Sequence, residues 1–106
     1  MKRMLIITSK KVGELGHLLE STSAYSSEFL VSFLFIGDGA YSLVKASEDF
    51  QTLKEQVPAS TELFASKEDI EVRGLSTRIS ESVQVIDYGE IVELVMNDDT
   101  KVVNYA

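Results

Sequence analysis

The sequence contains no cysteine among its 106 residues. Disulfides, thiolate metal sites and covalent intermediates on a thiol are therefore excluded. Histidine occurs once, at His17, so the clustered histidines of a zinc site are also missing. Carboxylates, hydroxyls and a few cations are the groups left to form a site, and we predict neither a bound metal nor a cofactor.

Long apolar runs are missing as well. No stretch approaches the roughly 20 apolar residues that cross a membrane, and the run in residues 1–8 (MKRMLIIT) is too short for a signal peptide. We therefore expect a cytoplasmic protein with no membrane segment. The 17 acidic residues outnumber the 10 basic ones, giving a formal charge of −7. Such a surface repels phosphate backbones and disfavours direct nucleic-acid binding.

Proline occurs once and glycine six times, while 44% of the residues are apolar. This composition is typical of an ordinary globular protein rather than a disordered one. A chain of this length buries roughly 65% of its unfolded surface and can fold on a hydrophobic core. Because no repeat, linker or low-complexity segment interrupts it, we predict a single domain over residues 1–106.

Apolar runs alternate with helical patterns along the chain. Met4–Ile7 and Phe29–Gly37 are nearly continuous apolar runs, which predict strands covered on both faces of a parallel sheet. Further strands are predicted at residues 60–66, 81–87 and 100–106. Helices are predicted at residues 9–22, from about 40, at 48–56, at 66–74 and at 88–98. This order predicts an α/β three-layer sandwich around a five-stranded, mostly parallel sheet.

The stretch FIGDGAYS places Gly37, Asp38 and Gly39 between a strand and a predicted helix. A hairpin turn is disfavoured because the preceding strand does not alternate apolar and polar residues. A dinucleotide-binding loop is disfavoured because Ser42 replaces the last glycine of that motif. The favoured interpretation is a tight turn in which Asp38 caps the helix. In a parallel sheet such a turn lies at the carboxyl ends of the strands, where ligands usually bind.

Hydroxyl and carboxylate side chains stand at the other predicted helix starts. Ser9 is expected to cap the first helix. Ser66 with Asp69, and Asp87 with Glu90, have the spacing of capping boxes. A nucleophilic Ser66 would instead need a base within hydrogen-bond reach, and the single histidine lies on another predicted helix. We therefore interpret these residues as helix caps.

The pair Arg73-Gly74 ends the predicted helix at residues 66–74. Gly74 is suited to a left-handed C-terminal cap. A cation such as Arg73 is favoured there by the helix dipole, and a guanidinium can also pair across an interface. Both interpretations of Arg73 remain open from the sequence.

Three stretches together resemble the DsrE/DsrF/DsrH sulfur-relay superfamily, and most closely its DsrH/TusB branch. They read FIGDGAYSLV, LFASKEDIEVRGLSTRIS and VQVIDYGEIVELV. The resemblance extends over nearly the whole chain and is most specific from Leu63 to Val92. It implies a flavodoxin-like fold in which Gly37, Arg73, Gly74 and Asp87 are structural positions of the family motifs.

The resemblance also implies a function. Proteins of the TusB type act in the cytoplasm within a hetero-oligomer of related TusC- and TusD-like subunits, which passes persulfide sulfur toward 2-thiolation of the wobble uridine in certain tRNAs. The similar DsrE, DsrF and DsrH proteins form a complex that serves sulfur oxidation. The expected partners are thus paralogous DsrE/TusD-like and DsrF/TusC-like subunits.

In DsrE- and TusD-like members the sulfur-carrying cysteine stands at the start of the helix after the third strand, a few residues before an Arg-Gly pair. By that spacing, the resemblance places Ser66 at the cysteine position. A hydroxyl cannot hold a persulfide, so the resemblance implies a non-catalytic subunit that completes the assembly.

Two rival hypotheses remain. The chain could be a stand-alone homo-oligomer that binds a small ligand above the strand ends. The wall of that pocket would consist of Ser9, Asp38, Gly39, Tyr41, Ser66 and Tyr88. A weaker rival is an enzyme that uses Asp38 or Ser66, for which the sequence identifies no partner group.

Overall fold

A computed structural model describes residues 2–105 and contains one five-stranded sheet in the order β4-β3-β2-β1-β5. The strands are β1 (Lys2–Thr8), β2 (Phe29–Phe35), β3 (Glu62–Ser66), β4 (Val83–Ile86) and β5 (Thr100–Tyr105). All four pairings are parallel. The predicted three-layer α/β sandwich around a five-stranded parallel sheet is therefore confirmed.

Four α-helices and two 3₁₀ segments connect the strands. The helices are α1 (His17–Tyr25), α2 (Glu48–Gln56), α3 (Lys67–Val72) and α4 (Tyr88–Met96). The first 3₁₀ segment (Val12–Glu14) precedes α1, and the second (Gly37–Leu43) follows β2. Within residues 2–105, no helix is long and apolar enough to cross a membrane.

The strand order determines which face each helix covers. From β1 to β4 the chain moves in one direction across the sheet, so right-handed crossovers place their helices on one common face. Leu19 of α1, Leu53 of α2 and Ile70 of α3 indeed pack in one large core with the sheet. The last crossover returns from β4 to β5, which places α4 on the opposite face, and Ile91 and Leu94 pack in a separate, smaller core there.

Burial explains the unbroken apolar runs. In β2, Phe33, Leu34 and Phe35 are fully buried, although their side chains belong to opposite faces of the sheet. In β1, Leu5 and Ile6 likewise point to different cores. Central strands packed on both sides leave no position for alternating polar residues.

The predicted first helix is wrong at its start. Ser9 caps no helix, because the chain enters the first 3₁₀ segment through Lys11 and begins α1 only after Gly16, whose φ is +52°. The physical reason is a tether: the Val12 amide donates to Ser42 Oγ at 2.9 Å in the buried interior. This bond ties the first 3₁₀ segment to the second.

Asp38 does not cap the following helix, which is a second correction. The second 3₁₀ segment begins at Gly37, its N-cap residue is Ile36, and no side chain caps it. The tight turn itself is present, since the Gly39 amide donates to the Ile36 carbonyl oxygen at 3.0 Å. Gly37 has a φ of +51°, which an L side chain rarely adopts. The Asp38 carboxylate is consequently available for another partner.

A polar network interrupts the face that α4 covers. Arg3 Nε and Nη2 each lie 3.0 Å from Glu62 Oε1, and the fully buried Ser32 donates its hydroxyl to the same oxygen at 2.6 Å. The network lies near the amino ends of the strands, opposite the edge where the sequence predicts a site. It therefore stabilises the register of β1, β2 and β3 at that end.

Replacing Gly39 by alanine is expected to destabilise the fold by about 1–3 kcal/mol. The added Cβ would lie 3.0 Å from the Lys10 carbonyl oxygen and 3.2 Å from the Ser9 carbonyl carbon, and backbone atoms cannot swing aside. Urea unfolding measures the change. Gly13→Ala is the matched control, because no neighbouring heavy atom lies within 4 Å of its added Cβ. Equal effects of the two substitutions would contradict this close approach.

Candidate functional site

The carboxyl ends of β1 to β4 meet at one edge of the sheet, which collects most of the predicted site residues. Ser9 directly follows β1, and Asp87 directly follows β4. One residue separates Gly37 from the end of β2, and Ser66 is the last residue of β3. All strands are parallel, so these positions share an edge by topology. The side chains form two local groups at this edge.

Arg73 is the centre of the first group. Its Nε and Nη2 atoms donate to Asp38 Oδ1 at 3.3 and 3.1 Å, and its Nη1 donates to Asp69 Oδ1 at 3.2 Å. Arg73 is 19% exposed, whereas Asp38 is 72% exposed. The guanidinium thus joins α3 to the second 3₁₀ segment by an ion pair within the chain, which neither of the two interpretations from the sequence included.

Tyr41 lies between two cations in the same group. Lys11 Nζ is 5.5 Å from the centre of the Tyr41 ring, and Arg73 Cζ is 5.9 Å from it. Both distances are within the range of cation–π attraction. The ring remains partly exposed. The group therefore combines an aromatic ring, two cations and two carboxylates, of which Asp38 and Tyr41 are exposed.

Ser9 joins this group through the backbone of Gly37. A Cβ on Gly37 would lie 3.6 Å from Ser9 Cβ and 4.0 Å from Arg73 Nη2. Gly37 therefore leaves room at the point where β1, the second 3₁₀ segment and α3 approach one another. Gly74, with a φ of +67°, supplies the predicted left-handed residue after α3.

Ser66 belongs to the second group and is almost fully buried. Its hydroxyl donates to Glu68 Oε2 at 3.4 Å, and Glu68 Oε1 accepts the Tyr88 amide at 3.2 Å. The predicted capping box of Ser66 and Asp69 is wrong, because no side-chain bond caps α3. The reason is that Arg73, one turn along, binds the Asp69 carboxylate.

The second predicted capping box is confirmed. Asp87 Oδ1 accepts the Glu90 amide at 2.9 Å, and Glu90 Oε1 accepts the Asp87 amide at 3.2 Å. With Glu68 on the Tyr88 amide, three backbone donors at the start of α4 are satisfied by carboxylates. Asp87 is thus a structural residue, and its carboxylate is engaged in the cap.

These contacts give Ser66 no base. Its partner is a carboxylate that the Tyr88 amide also occupies, while His17 is solvent-exposed and pairs with Glu20 at 3.1 Å. Across residues 2–105, no group of three or more His, Asp or Glu side chains could hold a metal ion. The contacts found at this edge are ion pairs, hydrogen bonds and the approach of two cations to the Tyr41 ring.

The predicted ligand pocket remains a prediction. Ser9, Asp38 and Tyr41 surround Arg73, whereas Ser66 and Tyr88 meet through Glu68. Three clefts elsewhere have volumes of about 340, 290 and 620 Å³, and none of them is lined by a residue of the predicted wall.

Sequence reasoning missed Lys11 and Glu68, and it gave Arg73 no definite partner. One signal was present: Asp69 and Arg73 have the i, i+4 spacing of a helical ion pair. Arg73 and Asp38 are 35 residues apart in the sequence, and their contact depends on the path of the chain from β2 through α2 and β3 to α3. No local pattern predicts it.

The Asp38–Arg73 pair is expected to contribute about 0.5–1 kcal/mol to the free energy of unfolding, because only one partner is exposed. A double-mutant cycle of Asp38→Asn and Arg73→Gln in urea unfolding measures this coupling. His17→Gln with Glu20→Gln is the control cycle, since both of those side chains are exposed. A coupling no larger than that of the control would contradict the assignment.

The fold and this edge define a three-layer α/β protein with an ion-paired, thiol-free strand-end site. A family model described as DsrH like protein matches residues 15–101. Because that match covers well over half of the chain, the chain belongs to the DsrH-like family. The resemblance noted from the sequence, to the DsrH/TusB branch, is confirmed.

Individual relatives agree with this assignment. Protein TusB of Photorhabdus laumondii is 41% identical over 61 residues, which cover 58% of this chain and 61% of that protein. Protein TusB of Salmonella arizonae is 35% identical over 63 residues, which cover 59% and 63%. The chain is thus matched to less than two thirds of the length of these relatives.

Two solved structures share the fold. The crystal structure of the YchN protein from E. coli matches with a TM-score of 0.78 at 15% identity. The match includes 99% of this chain and 100% of that one. The structure of MTH1491 from Methanobacterium thermoautotrophicum, a protein of unknown function, has a TM-score of 0.75 at 16% identity with the same coverage. At such low identities the likeness establishes the fold alone.

Proposed function

We propose that the chain is a non-catalytic subunit of a cytoplasmic sulfur-relay complex, built with DsrE/TusD-like and DsrF/TusC-like subunits. Membership of the DsrH-like family supports this role, and so do the relatives named TusB. The observation that carries the non-catalytic part is the absence of cysteine from the whole sequence. Without a thiol, the chain has no group on which persulfide sulfur can travel.

Ser66 is the residue at which this proposal is most specific. It ends β3 and immediately precedes α3, where the resemblance expects the sulfur-carrying cysteine of related subunits. Its hydroxyl is buried and directed to Glu68. A carboxylate beside this position would repel an anionic persulfide, so the local chemistry also favours a structural role.

The sulfur would move on a neighbouring subunit. There, a cysteine thiolate attacks the outer sulfur of a donor persulfide, a new S–S bond forms, the old one breaks, and the donor leaves as a thiolate. The exchange is balanced and needs no oxidant or reductant. This chain contributes by completing the assembly, and the product sulfur proceeds either to 2-thiolation of the tRNA wobble uridine or to sulfur oxidation.

Co-expression with the TusC- and TusD-like proteins of the same source, followed by loading with a persulfide donor and mass spectrometry, tests the role. We expect a purified hetero-oligomer in which added sulfur is found on a partner cysteine and never on this chain. Thiolation of tRNA should require all three subunits. A covalent sulfur adduct on this chain, or a homo-oligomer that binds neither of the two proteins, would contradict the proposal.

Ser66→Ala in the assembled complex is expected to leave sulfur transfer unchanged within about twofold, since the hydroxyl takes no part in the chemistry. Loss of its hydrogen bond to Glu68 would lower stability by about 1 kcal/mol. The matched control is Ser47→Ala, which removes the cap at the start of α2, where Ser47 Oγ accepts the Phe50 amide. This substitution should lower the free energy of unfolding by a similar amount. A transfer rate that collapses for Ser66→Ala but not for Ser47→Ala would make Ser66 a catalytic residue.

A further inference from the structure

The helix α4 is apolar over more of its circumference than the fold uses. At 100° per residue, its apolar side chains form a continuous arc of about 200°, roughly twice the width that a single core contact needs. The arc consists of Tyr88, Ile91, Val92, Leu94, Val95 and Met96. Only half of this arc packs on the sheet.

The sheet covers the inner half of the arc incompletely and the outer half hardly at all. Ile91, Leu94 and Val95 are half-buried against the smaller core, and no residue of α4 is fully buried. Tyr88 and Met96 are 71% and 74% exposed, and Val92 between them is 41% exposed. Residues 88, 92 and 96 stand one turn apart, so they form a ridge along the helix. We call these three residues the α4 ridge.

The charged residues of the segment that carries the ridge all have one sign. From residue 87 to residue 99 there is no lysine or arginine. The same segment carries five carboxylates: Asp87, Glu90, Glu93, Asp98 and Asp99. An apolar centre with a polar rim is the usual anatomy of a protein interface, and here the helix and its flanking residues contribute only acidic charges.

A cleft of about 340 Å³ extends the acidic rim on the flank of α4 away from the ridge. Glu62, Glu90 and Glu93 line it, and Arg3 is its only cation. Arg3 is already paired with Glu62. The cleft therefore retains a negative charge that suits the end of a lysine or arginine side chain.

A second copy of the chain is a poor occupant of this surface. Two α4 ridges packed against each other would bring the carboxylates of both rims together, and like charges across an interface cost several kcal/mol. The same arrangement would supply no further cation to the acidic cleft of either copy. The surface discriminates against symmetric self-association by repulsion.

We propose that the α4 ridge and the acidic cleft on the other flank of the same helix together form the docking surface for a subunit of different sequence, whose contact face is apolar with lysine or arginine at its rim. The inference rests on the proposed function for the existence of such a subunit. It goes further by assigning the contact to one helix and by making the assembly hetero-oligomeric at that contact.

Four single variants of the full chain test the assignment, each titrated with the co-purified TusC- and TusD-like proteins. Met96→Lys introduces a cation into the apolar ridge, and Glu93→Lys reverses a charge of the cleft. Tyr25→Gln on α1 and Glu55→Lys on α2 are matched controls, because these exposed residues lie on helices that pack against the other face of the sheet. Among the described residues, none of these four side chains forms an ion pair.

We expect Met96→Lys and Glu93→Lys each to weaken binding at least about tenfold, and the two controls to stay within about twofold of the native chain. Raising the salt from about 0.1 M to about 1 M should weaken the native complex more than the Glu93→Lys complex, since screening removes the same charge attraction. In sedimentation experiments, the chain alone should not associate with itself through this surface.

The possible failures are distinguishable. If the complex forms and all four variants bind like the native chain, the docking surface is wrong while the proposed function stands. If the chain alone dimerises and Met96→Lys makes it monomeric, a second copy occupies the ridge and the inference is overturned. If no complex forms with either protein, both the inference and the proposed function fail.

Discussion

The handedness of the chain crossovers is the constraint on which the rest of this structure depends. With the strand order β4-β3-β2-β1-β5, right-handed connections must place every helix before β4 on one face and the last helix on the other. The sheet spans about 19 Å across its five strands, whereas one helix with its side chains is about 10 Å wide. Three helices therefore cover most of one face, and the second cannot be covered by α4 alone.

The amino-acid sequence is adapted to this asymmetry. On the second face, the positions nearest the amino ends carry Arg3, Ser32 and Glu62, which satisfy one another as a hydrogen-bonded network. Polar groups so arranged tolerate partial solvent access, where an apolar cluster would not. The helix α4, which crosses this face, is not polar in the same way, since its apolar arc is wider than the chain itself can bury. The first feature stabilises the monomer, and the second is the feature on which the proposed docking surface rests.

Local signals predicted those parts of the fold that local physics determines. The bounds of α2 and the cap of α4 were predicted correctly. Asp87 and Glu90 bond to backbone amides within three residues, and the cap of α2 is equally local, although Ser47 was not singled out from the sequence. The start of α1 and the role of Asp38 were wrong because both depend on distant partners: Ser42 on the Val12 amide, and Arg73 on the Asp38 carboxylate. Helical periodicity in α4 was likewise correct, but periodicity cannot state which side of an apolar helix the sheet will cover.

The two functional features of the chain lie on different parts of one scaffold, and this separation favours a supporting role. At the strand ends, where a parallel sheet usually holds its chemistry, the carboxylates are engaged: Asp38 and Asp69 by Arg73, Glu68 by Ser66 and the Tyr88 amide. A site prepared for a reactive sulfur would instead present donors to an anion. The exposed apolar surface is on α4, whose first residue is held by the same Glu68. A loss of the reactive group with retention of the scaffold is what a subunit needs if its neighbours carry the chemistry and its own task is contact.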